Sequence, residues 1–164
     1  RDSSTSRGLG DVYKRQVENL RLFVVGDFGE DRDQYMELIR EKKIEDAVEV
    51  VEGYIPDKEV EKYFAACDLV VLPYESATQS GIVQIAYGFR KPVLVTNVGG
   101  LPDVVTDGKT GYVVESKNPE QIANAVIRYF KEEKEEEFAQ NVKAEEYKYS
   151  WDRMTEVVEE LWAR

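Results

Sequence analysis

Residues 70–100 read VVLPYESATQSGIVQIAYGFRKPVLVTNVGG, and the order of residue types in this stretch decides the class of fold. A short apolar run over residues 69–72 stops at Pro73, the form of a strand buried on both faces. The polar loop Tyr74 to Ser80 leads into a helical segment expected over residues 79–88. Pro92 then opens a second extended apolar run, residues 92–96, and Gly99-Gly100 marks a tight turn. Strand, polar loop, helix and strand in that order describe a βαβ unit with parallel strands.

The same alternation extends to both sides. Residues 20–26 form an apolar run ending at Gly26, followed by a helix over 32–43 with Tyr35, Met36, Leu38 and Ile39 on one stripe. Residues 47–51 are short and β-branched. Pro56-Asp57 opens a helix in which Val60, Tyr63, Phe64 and Cys67 fall at i, i+3, i+4 and i+7. Beyond the central stretch, Asp107-Gly108 marks a turn, residues 111–114 a last short strand, and Asn118-Pro119 the start of a helix with Ile122, Val126, Tyr129 and Phe130 on one face. The run KEEKEEE at 131–137 reads as the solvated face or hinge of a helical segment. Ser150 is expected to cap a final helix with Trp151, Met154, Val158, Leu161 and Trp162 on its apolar stripe, packed on this domain's own surface or on a partner domain. Strands recur about every 20 residues with amphipathic helices between them, which predicts an α/β fold: a Rossmann-like parallel sheet with helices on both faces.

Composition narrows the function. The 164 residues carry 22 Lys+Arg against 33 Asp+Glu, a formal net charge of −11, which argues against nucleic acid or an anionic membrane as the main partner. One cysteine, Cys67, and no histidine exclude a disulfide framework, the usual structural zinc sites and the Ser-His-Asp and Cys-His constellations. No metal site is expected. Apolar runs are too short for a membrane span, and the expected compartment is a reducing cytoplasm, membrane-peripheral at most. Residues 1–16, RDSSTSRGLGDVYKRQ, are net basic and lack apolar periodicity, unlike the rest. They resemble translated sequencing adapter; a native disordered tail is the alternative.

In open parallel sheets, ligands bind beyond the carboxyl ends of the strands. Four loops go there, beginning at Gly26, Gly53, Tyr74 and Asn97. The third places Thr78, Gln79 and Ser80 before Gly81 at a helix start, where free N–H groups and the helix dipole suit a phosphate. A plain helix cap from Thr78 or Ser80 is the structural alternative. Tyr54 either stacks on a base or packs on its loop. Glu75 either meets sugar hydroxyls or faces solvent, and Gly26 and Gly99-Gly100 have structural readings as a strand end and a turn.

The ordered set of motifs resembles the C-terminal domain of GT-B-fold retaining glycosyltransferases of the family-4 kind. It consists of Val25-Gly26-Asp27, Gly53-Tyr54-Ile55-Pro56, Ala65-Ala66-Cys67-Asp68, strand-Pro73, Ser80-Gly81, Lys91-Pro92-Val93, Val98 to Val105 and Asp107 to Tyr112. The resemblance implies a half that binds a nucleotide-diphosphate sugar and passes a hexosyl group, with retention, to an acceptor hydroxyl held by an amino-terminal domain. The donor is a substrate and no cofactor is implied. By position, Thr78, Gln79, Ser80, Gly81 and Ile82 would meet the phosphates and sugar, Tyr54 and Ile55 the base, and Gly26 the nucleotide at close range. Many members carry two glutamates separated by seven residues; here Thr78 and Ile85 stand near those places, with Gln84 as a substitute. A first strand with a Gly-Arg-x-x-x-Lys-Gly-type loop is expected before residue 17 and is missing from the sequence. The domain expectation is therefore a tail over 1–16 and a donor-binding domain over 17–164 with C-terminal helices from about 134 to 164. The chain alone is expected to be inactive and prone to self-association through an uncovered sheet edge. The alternative is a phosphoacceptor-type or other small phosphate-binding module, against which the lack of Asp after the third strand weighs.

Overall fold

The computed structural model describes residues 17, 19–146, 148 and 151–162. The expectations for the 1–16 tail and for the Ser150 cap fall outside these residues. Among the described residues five strands alternate with helices: β1 (Leu22–Gly26), α1 (Arg32–Glu41), β2 (Val48–Glu52), α2 (Asp57–Ala66), β3 (Val70–Leu72), α3 (Gly81–Gly88), β4 (Val93–Thr96), α4 (Leu101–Val104), β5 (Gly111–Val114), α5 (Pro119–Lys131), α6 (Glu135–Glu146) and α7 (Trp151–Trp162). All strand pairs are parallel. The α/β architecture, with helices on both sides of parallel strands, is the expected one.

β4 is the centre of the packed half. Its side chains alternate between two cores: Val93 and Val95 join Leu72, Val83, Ala86, Tyr87, Leu101 and Val142, while Leu94 joins Tyr112, Ile122, Val126, Tyr129 and Phe138. Val93, Leu94 and Val95 have no exposed surface. A parallel strand covered on both faces must be apolar at every position, which is why VLV shows no polar alternation. Each such side chain contributes about 1.5–3 kcal/mol of burial. Tyr129 enters the second core without stranding its hydroxyl, which donates to the Asp68 carbonyl at 2.9 Å.

The strands form two sheets, β1–β2 and β3–β4–β5, where the sequence suggested a single sheet. Among the described residues no strand pairs with the second edge of β1 or of β3, and backbone pairing reaches only about 4.8 Å from strand to strand. β1 is consequently far less covered than β4: Leu22, Phe23 and Val25 are 46%, 47% and 40% exposed.

Boundaries shift for local reasons. α3 starts at Gly81 and not at residue 79 because Ser80 caps it, its hydroxyl accepting the Ile82 N–H at 3.3 Å. α1 stops at Glu41, and Lys43 turns the chain with φ 52°. The acidic run is a hinge: α5 ends at Lys131, Glu133 takes φ 51°, and Glu135, Glu136 and Glu137 open α6, where the helix dipole favours them. On α7, Met154, Val158, Leu161 and Trp162 are 50–92% exposed, so these four do not pack on the domain's own surface, while the Trp151 side chain falls outside the described residues.

Pairing of β4 with β5 depends on a residue without a side chain. A Cβ at Gly111 would lie 1.8 Å from the Val93 carbonyl oxygen, across the register Val93–Gly111. Gly111→Ala is expected to lower unfolding stability by about 3 kcal/mol or more, read by urea denaturation, because backbone and not a movable side chain must give way.

Candidate functional site

The loops beyond β3 and β4 are built against each other. Thr96, 1% exposed at the end of β4, donates its hydroxyl to the Tyr74 carbonyl at 2.6 Å and holds the start of the β3 loop. Tyr74 folds under that loop, its hydroxyl 3.4 Å from Ser80 Oγ. The Gly100 N–H donates to the Thr78 carbonyl at 2.8 Å. Gly99 has φ 54°, and a Cβ there would lie 1.8 Å from the Ala77 carbonyl oxygen. The glycine pair therefore does more than turn the chain: it lets the Ala77-Thr78 backbone lie directly on the next loop.

What this brace presents is an open helix entrance. Thr78, Gln79 and Gly81 are exposed, Ser80 and Ile82 are half-buried, and Gln84 is exposed one turn into α3. Ser80 is the helix cap that the sequence offered as an alternative, so its hydroxyl is already engaged with Ile82 and Tyr74. Thr78 and Gln79 remain as outward polar side chains. The fold does not itself demand glycine at 81, because an added Cβ would meet nothing within 4 Å and the backbone needs no positive φ. The Ile82 and Val83 N–H groups are engaged by the Ser80 hydroxyl and carbonyl, both at 3.3 Å, so what suits an anionic group here is the open space at Gly81 and the positive end of the α3 dipole.

The remaining candidates divide by location. Gly26 is half-buried at the end of β1 with φ 148°, and its carbonyl accepts the Gly53 N–H at 3.0 Å, which ties the first two loops together. Tyr54 follows at 84% exposure, so the side chain does not pack on its loop, and Ile55 beside it is half-buried. Glu75 is exposed, as in the solvent-facing reading, and its carboxylate lies 3.3 Å from Lys117 Nζ in the loop after β5. At the same strand ends, Arg32 Nε donates to Glu52 at 2.6 Å, and that hydrogen bond with its Coulombic attraction raises the Arg32 pKa further.

Sequence reasoning missed Thr96 and Lys117. Thr96 reads as the last residue of an apolar strand, and Lys117 as one more surface lysine; neither carries a local signal of the loop it holds. Among the described residues no His/Cys/Asp/Glu group is arranged to hold a metal ion, and no helix is long and apolar enough to cross a membrane.

Comparison with known proteins gives a consistent picture. The family described as Glycosyl transferases group 1 matches residues 9–148. An uncharacterized glycosyltransferase of Methanocaldococcus jannaschii is 28% identical over 159 residues, covering 94% of this chain and 39% of that protein. The chain thus spans well under half the length of that curated relative. Among solved structures, that of Anabaena Alr3699/HepE in complex with UDP aligns with a TM-score of 0.79 at 20% identity, over 96% of this chain and 45% of that one. The C-terminal domain of a glycosyl transferase group 1 family protein from Francisella tularensis aligns with a TM-score of 0.76 at 21% identity, over 90% of this chain and 77% of that one. Both share the fold.

The two glycines at the loops should respond oppositely to alanine. Gly99→Ala, blocked by the Ala77 carbonyl and by its own positive φ, is expected to cost about 2 kcal/mol or more and to shift the backbone NMR signals of Thr78 to Gly81. Gly81→Ala should stay within about 1 kcal/mol of the parent, since alanine favours the helix and the space is open.

Proposed function

The chain belongs to the group 1 glycosyl transferases, and from that premise we propose that residues 17–164 are the nucleotide-sugar-binding part of a transferase of the retaining, family-4 kind. The observation that carries this reading is the exposed Thr78–Gly81 entrance to α3, which lies beyond β3 and is braced by the Gly99-Gly100 turn. In the proposed complex the helix-terminal amides and the Thr78 and Gln79 side chains take the diphosphate, and Ile82 borders the sugar. The exposed Tyr54 ring and the Ile55 backbone take the base, Gly26 lets the nucleotide approach, and Gln84 reaches the ribose in place of a glutamate.

The chemistry follows from where charge develops. When the bond between the anomeric carbon and the diphosphate oxygen breaks, negative charge grows on the leaving group. Fixed amide dipoles at a helix start stabilise that charge without reorganising. The hexosyl group then passes to an acceptor hydroxyl with retention at the anomeric carbon. The acceptor would be held by an amino-terminal domain, and the cations that neutralise the diphosphate would come from a strand and Gly-Arg-x-x-x-Lys-Gly-type loop ahead of residue 17; that the chain spans 39% of a curated relative supports this reading. On this reading the work is done in the cytoplasm and the chain by itself binds donor without turnover.

Ligand-observed NMR with a panel of nucleoside diphosphates tests the assignment. Binding of at least one is expected, with Gly81→Val weakening it by about tenfold while melting temperature is kept. Silence with every nucleoside diphosphate would remove the reading. Purified chain given nucleotide sugars and candidate acceptors should release no nucleoside diphosphate above background, and sustained release would show the site to be complete.

Among the described residues one edge of β1 has no partner strand, which supports a second proposal, self-association. Its Leu22 and Phe23 are uncharged and about half exposed, and a strand edge without charges or proline invites pairing. Sedimentation velocity should show concentration-dependent association, reduced in Phe23→Lys; a monodisperse monomer at all concentrations would overturn it.

A further inference from the structure

The β3–β4 ladder stops before the loop that carries the proposed phosphate site begins. Its register pairs end at Leu72–Val95, and the Val70 N–H donates to the Pro92 carbonyl at 3.0 Å. Continued in that phase, a parallel ladder would aim the Val98 N–H at the Tyr74 carbonyl. Instead the Val98 N–H turns back to the Thr96 carbonyl at 2.8 Å, and the Tyr74 carbonyl accepts the Thr96 hydroxyl at 2.6 Å. A side chain thus supplies the rung that the backbone gives up, where the chain leaves β3.

The fold alone gives Thr96 little reason to carry a hydroxyl. It ends a strand that is otherwise valine and leucine and is 1% exposed, and valine is also β-branched and well suited to strands. A buried hydroxyl is costly without a partner, and this one finds its partner 22 residues away, on another segment. Four residues beyond Thr96, the Gly100 N–H donates to the Thr78 carbonyl at 2.8 Å. The stretch from Thr96 to Gly100 therefore holds the loop at the carbonyls of Tyr74 and Thr78. The loop then closes on the Ser80 cap, whose hydroxyl lies 3.4 Å from that of Tyr74. Thr78, Gln79 and Gly81 stand exposed on this frame.

We propose that Thr96 is a positioning residue for the donor site: its hydroxyl fixes the start of the loop after β3 and so sets where the Thr78–Gly81 entrance stands when a diphosphate arrives. The inference rests on the donor-binding reading and adds to it the residue that preorganises the loop. Thr96 is covered and makes no bond to substrate; it acts through the Tyr74 carbonyl. A loop that has lost this attachment must be ordered by the ligand, and affinity falls by that cost.

The test compares Thr96→Val, Thr96→Ala and Thr96→Ser in the full chain, with UDP, GDP and ADP as probes and affinity read by NMR titration. Thr96→Val and Thr96→Ala are expected to weaken the diphosphate that the parent binds by about three- to tenfold, the scale of one hydrogen bond. Thr96→Ser keeps the hydroxyl and should stay within about twofold of the parent. The alanine–serine pair carries the comparison by itself if the valine variant does not fold. Gly111→Ala, which strains the opposite end of β4 at Val93, should lower stability and leave the affinity of the folded protein unchanged. Parent-like affinity in Thr96→Ala, an equal loss in Thr96→Ser, or an equal loss in Gly111→Ala would overturn the positioning role and leave the donor reading standing. A parent chain silent towards all three diphosphates would overturn the donor reading and the role of Thr96 together.

Discussion

The double-sided burial of β4 is the constraint on which the rest of the structure depends. Val93, Leu94 and Val95 belong alternately to two cores, so α3 and α4 on one side, α5 on the other, and α6, which gives Val142 to the first core and Phe138 to the second, are all referred to one strand. Its last residue, Thr96, then passes that order to the surface by bonding the Tyr74 carbonyl. A buried hydroxyl at the end of a fully apolar strand is tolerated because it has this partner. Rigidity built by packing is thereby carried into a loop that would otherwise be free to move.

From that anchor the loop after β3 is assembled by backbone contacts more than by side chains. Gly99 lets the Ala77-Thr78 segment approach to a distance that no residue with a Cβ allows, Gly100 beside it is only tightly spaced, and Ser80 and Tyr74 close the loop beneath. The outcome is a helix start with its cap satisfied and its outer face open. Preorganisation of this kind matters for charge stabilisation, because dipoles already aligned need not reorient when charge appears. The Glu75–Lys117 contact at 3.3 Å joins the same loop to the one after β5.

Coverage is uneven across the molecule. The β3–β4–β5 half has strands packed on both faces, whereas β1 and the α7 stripe expose apolar side chains. Such surfaces are a liability for a free chain, and β1 lacks the charges and prolines with which edge strands are usually protected.

Chain order and periodicity by themselves determined which segments are strands and which are helices, that the strands run parallel, and that an uncharged Thr-Gln-Ser-Gly loop opens a helix beyond a strand end. These properties are local: they depend on residues within one or two turns of each other, and hydrophobic spacing records them. Only the tertiary structure decided that the strands form two sheets, that Ser80 serves as the cap while Thr78 and Gln79 face outward, that Tyr54 stands free, and that Glu75 meets Lys117. Each of those outcomes turns on groups brought together from distant parts of the chain. Gly99 shows the difference most plainly: its neighbours in sequence specify a turn, but the Ala77 carbonyl that makes glycine obligatory arrives from the far side of a helix and a strand.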